Sequence, residues 1–230
     1  MKRVGLLGGM SWESSAEYYR FINEEIRDRC GGLHSADCLL RSVDFADIEP
    51  LQRAGRWDEA GRRLAAEAVA LVGAGAELVV LCTNTMHKVA DAITAAVDVP
   101  LVHIADATAS AVRAQGLRTV GLLATAYTME QDFYVGRLRD RHGLDVLVPG
   151  PDDRRLVHDV IYDELCVGIV RERSRDEYRR IMRELADGGA EGILLGCTEI
   201  DLLVGPEDAP VPVFDTTRLH VQKAVELALG

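Results

Sequence analysis

Eight short apolar runs punctuate the chain: RVGLLG, DCLLRSV, ELVVLC, VPLVHI, TVGLLA, LDVLVP, GILLGC and VPVFDT. Between most of them apolar positions recur every three or four residues, as in WDEAGRRLAAEAVALVGAGA, MEQDFYVGRLRDRHG and SRDEYRRIMRELADGGA. That spacing lines one face of a helix, whereas an unbroken apolar run bounded by turn residues suits a strand covered on both sides. Buried strands alternating with amphipathic helices predict parallel sheets and an α/β fold. The opening MKRVGLLGGMSWE is interrupted by three glycines and runs straight into the helix-like WESSAEYYRFINEEI. It reads as a first strand and its turn, not as a targeting segment.

The pattern also repeats. VGLLGGMSW from Val4 returns as VGLLATAYT from Val120, 116 residues on. LVVLCTNT and GILLGCTE then match at almost the same spacing, Cys197 lying 114 residues after Thr83 and 115 after Cys82. Four apolar runs fall in each half. Two similar α/β lobes are therefore expected, each with a four-stranded parallel sheet flanked by helices.

Charge and cysteine usage remove whole classes of function. With 26 Lys and Arg against 37 Asp and Glu, the net charge is −11. Nucleic acid and anionic membranes both reward a basic face, so neither is expected as a partner. No apolar stretch approaches the length of a membrane span. The five cysteines include no C-x-x-C pair, so neither a disulfide framework nor a metal site is expected, and a reducing cytoplasm is the expected location. In open α/β sheets ligands bind beyond the carboxyl ends of the strands. Two facing lobes would bring the Cys-Thr ends of two strands around one cleft. Acid and base groups on opposite sides of a carbon can remove a proton from one face and return one to the other, inverting the centre. Thiols suit that chemistry, and both Thr83 and Cys197 precede helix-like segments, where backbone N–H groups favour anions. A free cysteine is more often a small buried hydrophobe, which is the reading for Cys30, Cys38 and Cys82.

Taken in order, GLLGGMSWES, CTNTMH and GCTEI resemble the cofactor-independent aspartate/glutamate racemase family along essentially the whole chain. The likeness is nearest to its bacterial L-aspartate/glutamate-specific or broad-specificity branches. The resemblance implies two pseudo-symmetric lobes with the active site in the cleft between them, a homodimer, and a small-molecule amino acid as substrate. It places residues 1–100 and 210–230 in the first lobe, completed by the returning VPVFDTTRLHVQKAVELAL, and residues 101–209 in the second. The family's first motif reads C-N-T-x-H. Asn84, Thr85 and His87 match it, so Thr83 stands where the family carries its catalytic cysteine, and Cys82 is one residue early. A one-residue slip on a strand turns a side chain to the other face. The catalytic pair implied is Thr83 and Cys197. A hydroxyl is a far weaker acid than a thiol of pKa about 8.5. Cys197 is therefore expected as the base and Thr83 as the donor on the opposite face, with one enantiomer processed faster.

The same resemblance distributes the substrate contacts. The turn Gly8-Gly9-Met10 with Ser11 resembles a cradle of N–H groups for a carboxylate. Asn84, Thr85 and Thr198 supply groups for the α-carboxylate and amine, and Gln52 falls near the substrate's far end. Glu199 stands where glutamate racemases carry His, as in the aspartate branch. Cys166 stands where aspartate-specific members often carry Lys, which leaves a broader side-chain preference open. His87 reads equally as a tuning group or a structural histidine. No cofactor is expected: GLLGGMSW is not G-x-G-x-x-G, and nothing marks a Schiff-base lysine. Two other functions fit the residues, a single-cysteine decarboxylase of malonate-like acids and a catalytically weakened amino-acid-binding protein.

Overall fold

All eight apolar runs become strands. The structure is a computed structural model that describes residues 1–230. In chain order the elements are β1 (Val4–Gly8), α1 (Trp12–Cys30), β2 (Cys38–Ser42), α2 (Phe45–Arg53), α3 (Trp57–Gly73), β3 (Leu78–Leu81), α4 (Ala90–Thr94), β4 (Leu101–Val102) and α5 (Ile104–Ala114). There follow β5 (Thr119–Leu123), α6 (Ala126–Glu130), α7 (Asp132–His142), β6 (Asp145–Leu147), α8 (Pro151–Asp163), α9 (Glu172–Asp187), β7 (Gly192–Leu195), β8 (Val213–Asp215) and α10 (Thr216–Leu229). Short 3-10 turns occupy Thr85–Val89 after β3 and Thr198–Leu202 after β7, and another covers Leu165–Val167. No helix is long and apolar enough to cross a membrane.

Met1–Ile104 with His220–Gly230 forms one unit, and Ala105–Leu219 forms the other. Each holds a four-stranded parallel sheet, in order β2-β1-β3-β4 and β6-β5-β7-β8. The expected division therefore shifts at both ends. Residues 101 and 102 were assigned to the second lobe, but Leu101 and Val102 pair with Val79 and Val80 of the first sheet. The last strand was expected to complete the first lobe, but Val213–Asp215 pairs with Ile193–Leu195 of the second. The ladder decides both cases: Val79 donates to the Pro100 carbonyl at 2.9 Å and Ile193 to the Pro212 carbonyl at 2.8 Å. Only α10 carries the chain back, from His220 onward. MEQDFYVGRLRDRHG is also not one helix, because Gln131 is extended (φ −104°, ψ 146°) and separates α6 from α7.

In the first unit the period-two alternation of the strands sorts side chains between two cores. Val4 and Leu6 of β1, and Leu78, Val80 and Cys82 at β3, pack with Tyr18, Phe21, Ile22 and Ile26 of α1 and Val221, Ala224 and Val225 of α10. Leu7, Val79 and Leu81 face the other way, onto Ala60, Leu64, Ala68 and Leu71 of α3. The sheet is thus covered on both sides, which is why its strands read as continuous apolar runs.

Candidate active site

The alternation settles where Cys82 points. It is fully buried in the core between the sheet and α1 and α10, with Sγ 3.6 Å from the Val80 carbonyl. Burial pushes its thiol far above the usual range, and Cys38 adds to the shift. Cys38 is half-buried, while Cys30 is exposed at the end of α1, so the expectation of a buried Cys30 is corrected. Cys82→Ala is expected to keep near-wild-type turnover and to cost about 1 kcal/mol of stability, the scale of removing one small buried group. Steady-state kinetics and thermal unfolding check both parts.

Thr83 is the next residue, past the end of β3. Its N–H bonds to the Leu81 carbonyl at 2.8 Å, and its own carbonyl lies 2.7 Å from His87 Nδ1. Asn84 and Thr85 follow, both buried, and open the turn Thr85–Val89. Ser14 Oγ of α1 donates to the Cys82 carbonyl at 3.2 Å, tying the strand end to α1.

The turn after β1 is shaped for its backbone. Gly9 has φ +92°, and a Cβ there would collide with the backbone of Val43, so glycine is required on both counts. The expected carboxylate cradle is partly spent within the turn: the Gly9 N–H donates to Ser15 Oγ at 2.7 Å, and Ser15 Oγ donates to the Ser11 carbonyl at 2.9 Å. Ser11 caps α1, accepting from the Ser14 N–H at 3.3 Å. Nothing in the sequence pattern singled out Ser14 and Ser15; their signal is the small-residue pair one turn after a strand-ending glycine. Met10 is buried in the cluster that contains Leu51 and Met86. Gln52 is buried on α2 and directs Nε2 at Met86 Sδ, 2.8 Å away.

In the second unit β7 ends at Leu195, and Cys197 caps the turn Thr198–Leu202 in an extended conformation (φ −149°, ψ 131°). Its side chain is partly exposed. Sγ donates to Glu199 Oε2 at 2.9 Å. Thr198 and Glu199 are buried beside it. Thr217 Oγ1 donates to Thr198 Oγ1 at 3.2 Å, and Thr216 Oγ1 donates to the Leu195 carbonyl at 2.8 Å. These two α10 threonines were not anticipated, although DTT after an apolar run is a helix-start signal. Burial pushes the Cys197 thiol well above its usual range, and the charge of Glu199 pushes it further, with Cys166 adding to the effect. The expected lowering by a helix N-terminus is thereby outweighed. An acid with a raised pKa stays neutral until higher pH, so Cys197 rests as a thiol at neutral pH.

Registers within the two sheets make the strand ends correspond. Leu7 stands opposite Leu81 and Leu123 opposite Leu195. Cys82 N–H bonds to the Leu7 carbonyl at 2.9 Å, and Gly196 N–H to the Leu123 carbonyl at 2.7 Å. At the other end of the same strand pairs, Arg3 N–H donates to Glu77 Oε2 and Thr119 N–H to Glu191 Oε2, both at 2.8 Å. Position 82 of the first unit thus corresponds to Gly196 of the second, and Thr83 to Cys197. Gly196 leaves no room for a side chain, since a Cβ would lie 2.8 Å from Leu122 and 2.9 Å from Ala124.

The two units share one strand order, with a thiol on a carboxylate at one strand end and a hydroxyl at its counterpart. The family model for Asp/Glu/hydantoin racemases matches residues 7–224, and the chain belongs to that family, whose members are isomerases. It is 55% identical to a proposed Asp/Glu racemase from Yersinia pestis, with all of both chains covered and a TM-score of 0.94. An aspartate racemase homologue from Pyrococcus horikoshii is 34% identical, again over the whole of both chains, with a TM-score of 0.87. An uncharacterized protein from Pectobacterium carotovorum subsp. carotovorum is 30% identical over 128 residues, 55% of this chain and 83% of that protein.

Proposed function

We propose that this racemase inverts the α-carbon of aspartate, glutamate or a broader set of amino acids without a cofactor, Cys197 serving as base on one face and Thr83 as proton donor on the other. The single observation that carries this reading is the correspondence of Thr83 with Cys197 through the strand registers of the two units. The likeness to the Yersinia Asp/Glu racemase homologue and the Pyrococcus aspartate racemase homologue supports aspartate and glutamate as the first substrates to test.

The chemistry follows from the hydrogen bonds at each strand end. The Cys197 proton already points at Glu199 Oε2, so its transfer to that carboxylate leaves a thiolate able to take the Cα proton. Asn84, Thr85 and Thr198 bind the α-carboxylate and amine, while Met10 and Gln52 lie toward the side chain. The resulting carbanion takes a proton from the Thr83 hydroxyl on the other face, solvent returns one to Thr83, and Glu199 releases to solvent the proton it took from Cys197. In the reverse direction a hydroxyl would have to act as base, which its low acidity makes slow. Initial rates from the two enantiomers at saturating substrate therefore differ, while kcat/KM, tied to an equilibrium constant of one, is the same for both.

The test is a panel of L- and D-amino acids with purified protein and no added cofactor, followed by chiral chromatography. Inversion of aspartate or glutamate, with unequal initial rates, is the expected result. Carbon dioxide release from malonates without inversion would instead assign the decarboxylase reading. Binding without exchange of the Cα hydrogen would assign a binding protein.

Glu199→Gln supplies a test of the thiol itself. It removes the carboxylate charge but leaves the burial, the larger cause. The Cys197 thiolate should therefore appear at lower pH than in the wild type, though still above a free thiol. The rate of alkylation of Cys197 by iodoacetamide as a function of pH reads this directly, and an unchanged profile would mean that Glu199 does not govern the thiol.

A further inference from the structure

His87 has no role in the proton transfers above, yet it makes the bond that fixes the Thr83 backbone. It is buried in the turn Thr85–Val89. Nε2 accepts the Ile104 N–H at 3.2 Å, and Nδ1 lies 2.7 Å from the Thr83 carbonyl oxygen. A neutral imidazole carries one proton and offers one lone pair. Because the Ile104 N–H is itself a donor, Nε2 must be the bare nitrogen, so the proton sits on Nδ1 and is donated to Thr83. A charged ring would aim an N–H at an N–H.

Two further imidazoles lie beside the ring. The ring of His103 lies 4.5 Å away and that of His220 5.6 Å away, centroid to centroid. His220 is fully buried and takes the opposite tautomer: Tyr18 Oη donates to its Nδ1 at 2.8 Å, and its Nε2 donates to the Val102 carbonyl at 2.7 Å. Burial, the largest cause, lowers the His220 pKa to about 3. Two neutral histidines of fixed and opposite tautomer therefore hold the carbonyls at the ends of β3 and β4.

Thr83 needs such a tie. It has left the ladder, its N–H turning back to Leu81, so the sheet does not set its peptide plane. In the second unit the carbonyl of the corresponding Cys197 takes the Ile200 N–H at 3.1 Å, a bond within its own turn. In the first unit an imidazole makes the bond. We propose that His87 is a positioning residue: donation from Nδ1 to the Thr83 carbonyl aims the Thr83 hydroxyl for proton delivery. The proposal rests on Thr83 being the opposite-face donor.

Two isosteric replacements separate the two bonds of the ring. The amide of Asn reaches the place of Nδ1, so His87→Asn keeps a donor for Thr83 and drops the acceptor for Ile104. The amide of Gln reaches the place of Nε2, so His87→Gln does the reverse. In deuterated water the readout is the ratio of inverted product to substrate that gains deuterium at Cα with retained configuration. His87→Gln should lower that ratio about ten- to a hundred-fold, the cost of misaiming a reacting group by about 1 Å. His87→Asn should restore it toward the wild-type value. A merely structural role would lower wash-in and inversion together in both variants, and that outcome, or an unchanged ratio in His87→Gln, overturns the proposal. Thr83→Ala run alongside keeps the two failures apart: if it leaves the ratio at wild type, the donor reading itself falls, and if it collapses the ratio while His87→Gln does not, only the positioning role falls. In the wild-type protein, 15N spectra of labelled histidine should show His87 protonated at Nδ1 and bare at Nε2. The opposite tautomer contradicts the geometry whatever the variants do.

Discussion

Cys197→Ala and Cys197→Ser are expected to abolish racemisation in both directions and to leave the fold intact. Cys197 is the group assigned to take the Cα proton, and general acid–base groups typically contribute about 10²–10⁴-fold to the rate. Alanine removes the base outright. Serine keeps the size and the hydrogen bond to Glu199 but offers a hydroxyl whose proton is held far more tightly. Because Cys197 is partly exposed and its neighbour Thr198 is held by Thr217, little packing is lost, and the thermal unfolding midpoint should stay close to wild type. Polarimetry of aspartate and glutamate samples measures the activity. Either variant racemising at a rate near wild type would remove Cys197 from the mechanism.

Thr83→Ala gives the second large effect, and it is selective. The base remains, so the Cα proton still leaves and returns on the Cys197 face. The donor on the other face is gone, so formation of the inverted product falls by about 10²–10⁴-fold. In deuterated water one enantiomer should still gain label with retained configuration while little of the other forms. Thr83→Cys should narrow the gap between the two directions, since a thiol can act as both acid and base where a hydroxyl serves mainly as donor. A Thr83→Ala protein that inverts both enantiomers at the wild-type ratio would show that position 83 carries no proton.

Much of this was legible in the residues, for reasons that differ by element. The strands were, because a sheet covered on both sides demands unbroken apolar runs, and RVGLLG and GILLGC have no other economical reading. The displacement of Cys82 was also legible, since alternation along β3 carries Leu78, Val80 and Cys82 into one core. The grouping of strands into units was less so. Val213–Asp215 is three residues long, and nothing local distinguishes a strand that joins β7 from one that returns to the first sheet; the ladder partner is a tertiary choice. The break at Gln131 was hidden because the helical period continues across it. The state of the Cys197 thiol lay further out of reach. A Cys-Thr-Glu stretch before a helix start suggests an activated thiolate, and only the 2.9 Å contact with Glu199 and the partial burial of the side chain hold the thiol neutral. His87 was ambiguous for a related reason, its meaning residing in which nitrogen faces the Thr83 carbonyl.

The central claim is that two different groups handle the two faces of one carbon, and the origin of the hydrogen in the product tests it most directly. Wild-type enzyme in deuterated water, started separately from the L and the D substrate and read by NMR at low conversion, should yield product that carries deuterium at Cα from the first turnovers. The two starting enantiomers should do so at unequal rates. Product that retains the substrate's own hydrogen would mean a single group carrying the proton across both faces, and the assignment of Thr83 and Cys197 as a pair would be wrong.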